Sequence, residues 1–213
     1  MVYSLPDPSQ AQTEISAPSG RGKLLIVVLL CVLPMLVSFL AYRYVRLGGH
    51  ATGGELIHPA QPMPEISLPG KDGKPILLNS LKGQWLLVGV GDTACVDDCA
   101  QRVFLQRQLR ETLGKDRDRV DRVLVAQGAG ELAAPLRAQS GDLVILQDDA
   151  GQLMPWLNVP PGQSAKDYQF LVDPLGNLMM RFPAKFDSAG AAKIRRDLER
   201  LLRASVAWDG PGR

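Results

Sequence analysis

At 213 residues, against the usual ~150 per domain, the chain has room for one domain plus a smaller segment. Its composition, 46% hydrophobic, 22% charged and 6% aromatic, is that of an ordinary globular protein and excludes disordered, collagenous and low-complexity classes. With 24 basic and 22 acidic residues the net charge of +2 gives no field for nucleic acid, two histidines exclude a His-rich metal site, and three cysteines exclude a disulfide scaffold.

In chain order, residues 1–22 are Pro-, Ser- and Gln-rich without periodicity and read as a disordered tail. From Leu24 to Leu40 seventeen residues carry no charge, and with Ala41 and Tyr42 the span nears the ~20 needed to cross a bilayer. A single N-terminal transmembrane helix is therefore expected within residues 23–47, in contact with membrane lipid and kinked at Pro34. The apolar run is longer than the ~7–15 residues of a cleaved signal and lacks an A-x-A-like site, so the anchor is expected to stay. Cys31 reads as an apolar filler within it. Arg21 and Lys23 on one side balance Arg43 and Arg46 on the other, so charge does not orient the helix. Residues 48–64, with Gly48, Gly49, Gly53, Gly54, Pro59, Pro62 and Pro64, read as a flexible linker that also holds His50 and His58.

Residues 65–204 alternate strand and helix signals, which points to an α/β domain. Short strands are expected at Glu65–Leu68 and Pro75–Leu78, and a central strand buried on both faces at Gln84–Val90. A helix over Val96–Leu113, a strand over Val120–Ala126, a short helix over Glu131–Gln139 and a strand over Leu143–Leu146 follow. Tyr168–Val172 and Leu178–Phe182 predict a hairpin across Asp173–Asn177. The last helix, Ala189–Ala204, places Ile194, Leu198, Leu201 and Leu202 on one face and Arg195, Arg196, Arg200 and Arg203 outward. Residues 205–213, with Trp208, read as a tail. Gly128-Ala129-Gly130-Glu131-Leu132-Ala133, with Asp148 or Asp149 some twenty residues on, has the spacing of a dinucleotide fingerprint. Its mid-domain position and Pro135 argue against that use.

The chemistry concentrates at Thr93-Ala94-Cys95-Val96-Asp97-Asp98-Cys99, between the central strand and the long helix. The positive end of a helix favours the thiolate, the reactive and metal-binding form, while Asp97 and Asp98 oppose it. In a regular helix the two Cβ atoms would lie ~5–6 Å apart, beyond the ~3.5–4.5 Å of a disulfide. A bond therefore requires Cys95 to sit just before the helix begins, and two thiolates on adjoining turns suit Cu(I).

Together, Glu65–Leu81, Gln84–Val90, Thr93–Cys99 and Phe170-Leu171-Val172-Asp173-Pro174-Leu175-Gly176-Asn177 resemble the Sco/SenC family, membrane-anchored thioredoxin-fold proteins that help metallate cytochrome c oxidase. Small Sco-related transmembrane proteins that accompany oxidase assembly genes in proteobacteria are more similar still. The resemblance implies a thioredoxin-like domain in the periplasm, an inner-membrane anchor with its N-terminus inside, and an oxidase subunit or another assembly factor as partner. It implies Cu(I) at Cys95 and Cys99. The same two residues would be catalytic, Cys95 attacking and Cys99 resolving, were the protein a thiol–disulfide oxidoreductase. A non-catalytic interaction module with a static bridge is the third reading. The chain departs from the family where Val96 and Ala100 replace prolines and where Ser164–Gln169 contains no histidine. It also lacks a proline directly before Tyr168, the position of the thioredoxin cis-proline. Met154, Met179 and Met180 are spare thioether donors that read better as core.

Overall fold

The structure is a computed structural model that describes residues 20–44, 53–137 and 142–206. It divides into two units, Met1–His50 and Ala51–Arg213. The first contains helix α1, Gly20–Tyr44, with Pro34 inside it. Residues 20–40 of this helix are long and apolar enough to cross a membrane. The expected anchor thus begins three residues earlier, and 45–47 lie outside the described residues.

The second unit is built on a six-stranded sheet. Its strands are β1 (Glu55–Pro62), β4 (Trp85–Asp92), β5 (Val120–Gln127), β6 (Leu143–Gln147), β7 (Tyr168–Val172) and β8 (Asn177–Pro183). They lie in the order β1-β8-β7-β4-β5-β6, with β4, β5 and β6 parallel and β7, β8 and β1 antiparallel to their neighbours. Strands β2 (Ser67–Pro69) and β3 (Pro75–Leu77) form a separate hairpin that touches β6 through a Gly70–Leu146 bridge. The helices are α2 (Asp98–Glu111), α3 (Ala134–Arg137) and α4 (Ser188–Ala204).

Strand β4 sits at the centre because its alternate side chains feed two cores. Leu86, Val88 and Val90 join Phe170, Val172 and Trp156 on one face, while Trp85 and Leu87 join Leu109 of α2 and Ile194, Leu198 and Leu202 of α4 on the other. The four arginines of α4 are exposed, as its period requires. Inside the second core Trp85 donates its indole N–H to Ser205 Oγ at 2.9 Å. Ser205 is buried and belongs to the fold, not to the expected tail; residues 207–213, Trp208 included, lie outside the described residues.

The flexible linker expected over residues 48–64 is corrected in its second half. Glu55–Pro62 is an edge strand paired with β8, and Ile57 and Met63 are buried in the first core. Prolines are tolerated there because an edge strand needs few of its N–H groups. The neighbouring glycines serve close packing: a Cβ on Gly54 would stand 2.2 Å from the Phe182 ring. The short helix expected over Glu131–Gln139 is corrected at its start: residues 131–133 are irregular, Ala133 N–H being engaged by Thr93 O, and the helix runs over Ala134–Arg137, with 138–141 outside the described residues.

Candidate functional site

Strand β4 ends at Asp92, and the chain turns through Thr93–Asp97 before α2 begins at Asp98. The helix starts two residues later than its periodicity predicts because Cys95 and Asp97 have φ of 37° and 25°, which a right-handed helix cannot contain. Cys95 consequently lies ahead of the helix and Cys99 in its first turn. Their Cα atoms approach to 4.9 Å and the two sulfurs are joined in a disulfide. The condition set by the spacing, that Cys95 precede regular helix, is met.

The loop is held on three sides. Cys95 N–H donates to Asp92 O at 3.0 Å, Thr93 N–H to Gln127 O at 3.0 Å, and Ala133 N–H to Thr93 O at 2.9 Å. The Gly128–Ala133 segment is thus a support for the cysteine loop, not a nucleotide cradle. Asp148, one of the two acidic residues at the fingerprint spacing, spends its carboxylate on the N–H groups of Gln152 and Leu153, at 2.7 and 2.9 Å. Below the bridge, a Cβ on Gly91 would stand 2.7 Å from Cys99 Sγ, so β4 needs glycine where the sulfur rests. Glycine inside a strand is the signal for such an approach.

Charge around the pair differs from the sequence expectation. Asp98 is bound by Lys185 at 2.9 Å, and the hydrogen bond and charge of that lysine hold its carboxyl below the usual carboxylate range. Asp92 is bound by Lys166, which stands in the Ser164–Gln169 stretch that has no histidine. Lys185 therefore compensates Asp98, one of the two carboxylates expected to oppose a thiolate, and Lys166 compensates Asp92, while Asp97 is exposed and has no ion pair among the described residues. Lys166, Lys185 and Gly91 are functional candidates that reading along the chain does not find.

Cys95 and Cys99 are buried with Val103, Leu124, Ala126, Leu132 and Leu136. Cys95 is the more accessible, 7% against 3%, and it alone of the two lines a cleft of about 120 Å³ shared with Ala100, Val103, Phe104, Arg107, Arg122 and Leu136. Among the described residues no group of three or more His, Cys, Asp or Glu converges as a metal site. His58 is exposed on β1, separated from β4 by β8 and β7, and His50 lies outside the described residues. Met154, Met179 and Met180 pack in the other two cores. The donor set therefore fits Cu(I), which accepts two soft thiolates, and does not fit a site requiring imidazole.

A disulfide between the end of a central strand and the start of a helix, in a mixed sheet covered by helices, defines a thioredoxin-like protein. The family model for a transmembrane-like, thioredoxin-like, C-terminal domain matches residues 85–205, and the chain belongs to that family. No curated protein matches the chain. Among solved structures it is similar to the apo Sco1 protein from Thermus thermophilus, with 20% identity over 72% of this chain and 99% of that one (TM-score 0.53). Yeast Sco1 with copper bound is 17% identical over 65% and 89% (TM-score 0.51). A putative protein disulfide isomerase from Bacteroides thetaiotaomicron is 13% identical over 73% and 97% (TM-score 0.51). The fold is thus that of divergent Sco/SenC-like proteins, with one apolar N-terminal helix able to span a membrane.

Proposed function

We propose that this chain is a membrane-tethered, thioredoxin-fold assembly factor whose Cys95–Cys99 pair cycles between dithiol and disulfide, its substrates being the copper-site cysteines of a cytochrome c oxidase subunit. The observation that carries this reading is the bonded pair itself, with Cys95 opening on a cleft. Lys185 on Asp98 supports it by offsetting one of the two carboxylates that oppose a Cys95 thiolate, and Lys166 offsets Asp92 beside them.

In the forward step the Cys95 thiolate attacks one sulfur of a substrate disulfide, and the other substrate sulfur leaves as a thiolate that takes a proton from water. Cys99, deprotonated to water, then attacks Cys95 Sγ in the mixed disulfide and expels the first substrate sulfur. Two electrons pass to the substrate and the chain is left with the Cys95–Cys99 bond. A dithiol donor restores the reduced form. This reading puts the N-terminus inside and the thioredoxin-like unit in the periplasm, where substrate cysteines are prone to form the disulfide that the reduced pair removes. An impermeant thiol reagent should label the reduced cysteines in intact spheroplasts; labelling only after permeabilisation refutes that orientation.

The deciding experiment is a redox titration of the full chain in detergent. A potential within roughly −120 to −270 mV supports exchange, and one below about −300 mV identifies a static bridge and overturns it. A second reading takes Cu(I) as cargo of the reduced pair, favoured by two converging soft sulfurs and by the likeness to yeast Sco1 with copper bound. It requires about one Cu(I) per chain against a competing chelator, lost in Cys95→Ser and in Cys99→Ser.

A further inference from the structure

The cleft beside Cys95 is not merely apolar. One wall is the α2 face carrying Ala100, Val103, Phe104 and Arg107; Leu136 of α3 and Arg122 of β5 complete the rest. Arg122 is 2% exposed. It donates through Nε and Nη2 to Asp142, at 3.2 and 2.7 Å, and its third guanidinium nitrogen, Nη1, is buried without a hydrogen-bond partner. A buried donor left open costs about 1–3 kcal/mol, so such groups are ordinarily satisfied by something. Asp142 cannot serve Nη1 as well: its Oδ2 already accepts from Arg110 at 2.7 Å in addition to Arg122 Nε. Arg107, on the same cleft, is exposed and has no ion pair or hydrogen bond among the described residues. Among the described residues the lining thus contains two arginines and no carboxylate. Val103, Leu136 and the exposed Phe104 supply walls of low polarity, against which a charge pair is strengthened.

We infer that this cleft is an anion subsite that takes one carboxylate of a thiol substrate, held by the exposed guanidinium of Arg107 with the cationic Arg122 in the cleft lining, and so sets which sulfur is brought to Cys95. The cleft, about 120 Å³, has room for an acidic group and its neighbouring carbons. The carboxylate belongs either to a small acidic thiol or to an acidic residue beside the substrate cysteine of a polypeptide; the recognition chemistry is the same. The inference rests on the redox reading for its purpose, but its binding is measured without redox.

The test uses the oxidised full chain in detergent and S-methylated probes that cannot exchange. Two synthetic peptides, identical except for Glu or Gln two residues from an S-methylcysteine, are titrated by calorimetry, with S-methylglutathione as a third probe. The Glu peptide is expected to bind about tenfold more tightly than the Gln peptide, the effect of one charge-assisted hydrogen bond. That advantage should vanish in Arg107→Gln, an exposed substitution that leaves the Asp142 pair intact. No Arg122 variant is required, since replacing a buried, paired arginine puts the fold itself at risk. S-methylglutathione binding as tightly as the Glu peptide assigns the subsite to small acidic thiols; weaker binding assigns it to polypeptide substrates. Equal binding of the two peptides, no binding of either, or a preference that survives in Arg107→Gln overturns the subsite. Exchange of the wild-type chain with the neutral 2-hydroxyethyl disulfide is followed separately. Exchange without carboxylate preference removes the subsite alone, and preference without exchange removes the redox reading alone.

Discussion

Gly91 gives a direct measure of how tightly the disulfide is seated. An alanine there would place its Cβ 2.7 Å from Cys99 Sγ, where ordinary contact begins at 3.4 Å, a shortfall of 0.7 Å. The backbone cannot retreat easily, because Gly91 lies in β4 opposite Ala126 of β5. In the oxidised protein Cys99 Sγ is tied to Cys95 and cannot change rotamer; in the reduced protein the thiol can swing aside. Gly91→Ala should therefore destabilise the disulfide form more than the dithiol, by the roughly 1–3 kcal/mol typical of overpacking. For a two-electron couple at about 30 mV per 1.4 kcal/mol, the potential rises by roughly 20–65 mV and becomes less reducing. The assay is the redox titration of wild type and variant, with urea midpoints measured in both oxidation states. A potential that is unchanged or more negative, or an equal loss of stability in the two states, refutes the argument that the strand needs glycine to seat the sulfur.

Three further outcomes follow from the packing. Ser205→Ala leaves the buried Trp85 indole N–H without its acceptor and should cost about 1–3 kcal/mol by urea denaturation. Asp142→Asn uncouples a carboxylate that serves both Arg122 and Arg110, and should cost about 3 kcal/mol at neutral pH, the low end for a buried pair because Asp142 is one-third exposed. The Arg122 hydrogen bond, foremost, holds the Asp142 carboxyl below the usual carboxylate range. Its contribution is therefore complete above the unfolded value near ~3.9 and is lost as pH falls through the lower folded value. The stability gap between wild type and Asp142→Asn should narrow in that acid window, and a gap independent of pH contradicts the assignment. Asp187→Ala removes the side chain that accepts from Gly190 N–H at 2.7 Å and should cost about 1 kcal/mol, read as a lower melting temperature.

What could be read along the chain was whatever has a period or a spacing. The apolar run of β4, the hairpin of β7 and β8, and the face of α4 all stand where alternation or the helical repeat predicts. The cysteine pair was equally visible, since its spacing allowed a bond only with Cys95 ahead of the helix, the arrangement the structure has. Strand β1 was hidden because its prolines and the preceding glycines imitate a linker; only the Phe182 ring and the β8 edge give those residues their purpose. The charge environment was hidden for another reason. Lys185 and Lys166 reach Asp98 and Asp92 across 87 and 74 residues, a pairing that exists only after the sheet has closed. Arg122 likewise sits at a buried position of a strand whose other buried side chains are apolar, and its value depends on Asp142, twenty residues on.

The two borders of the sheet carry a consequence for how this molecule behaves in company. At one border β1 offers a row interrupted by Pro59 and Pro62, with no amide hydrogen at either. At the other, five-residue β6 is short, and Gly70 lies across it through the bridge to Leu146 and the 2.8 Å bond from Gln147 Nε2. Neither border presents a long bare ladder to which a second sheet could add. Many copies crowded together can thus meet repeatedly without fusing into a shared sheet, and contacts between neighbours are left to side chains.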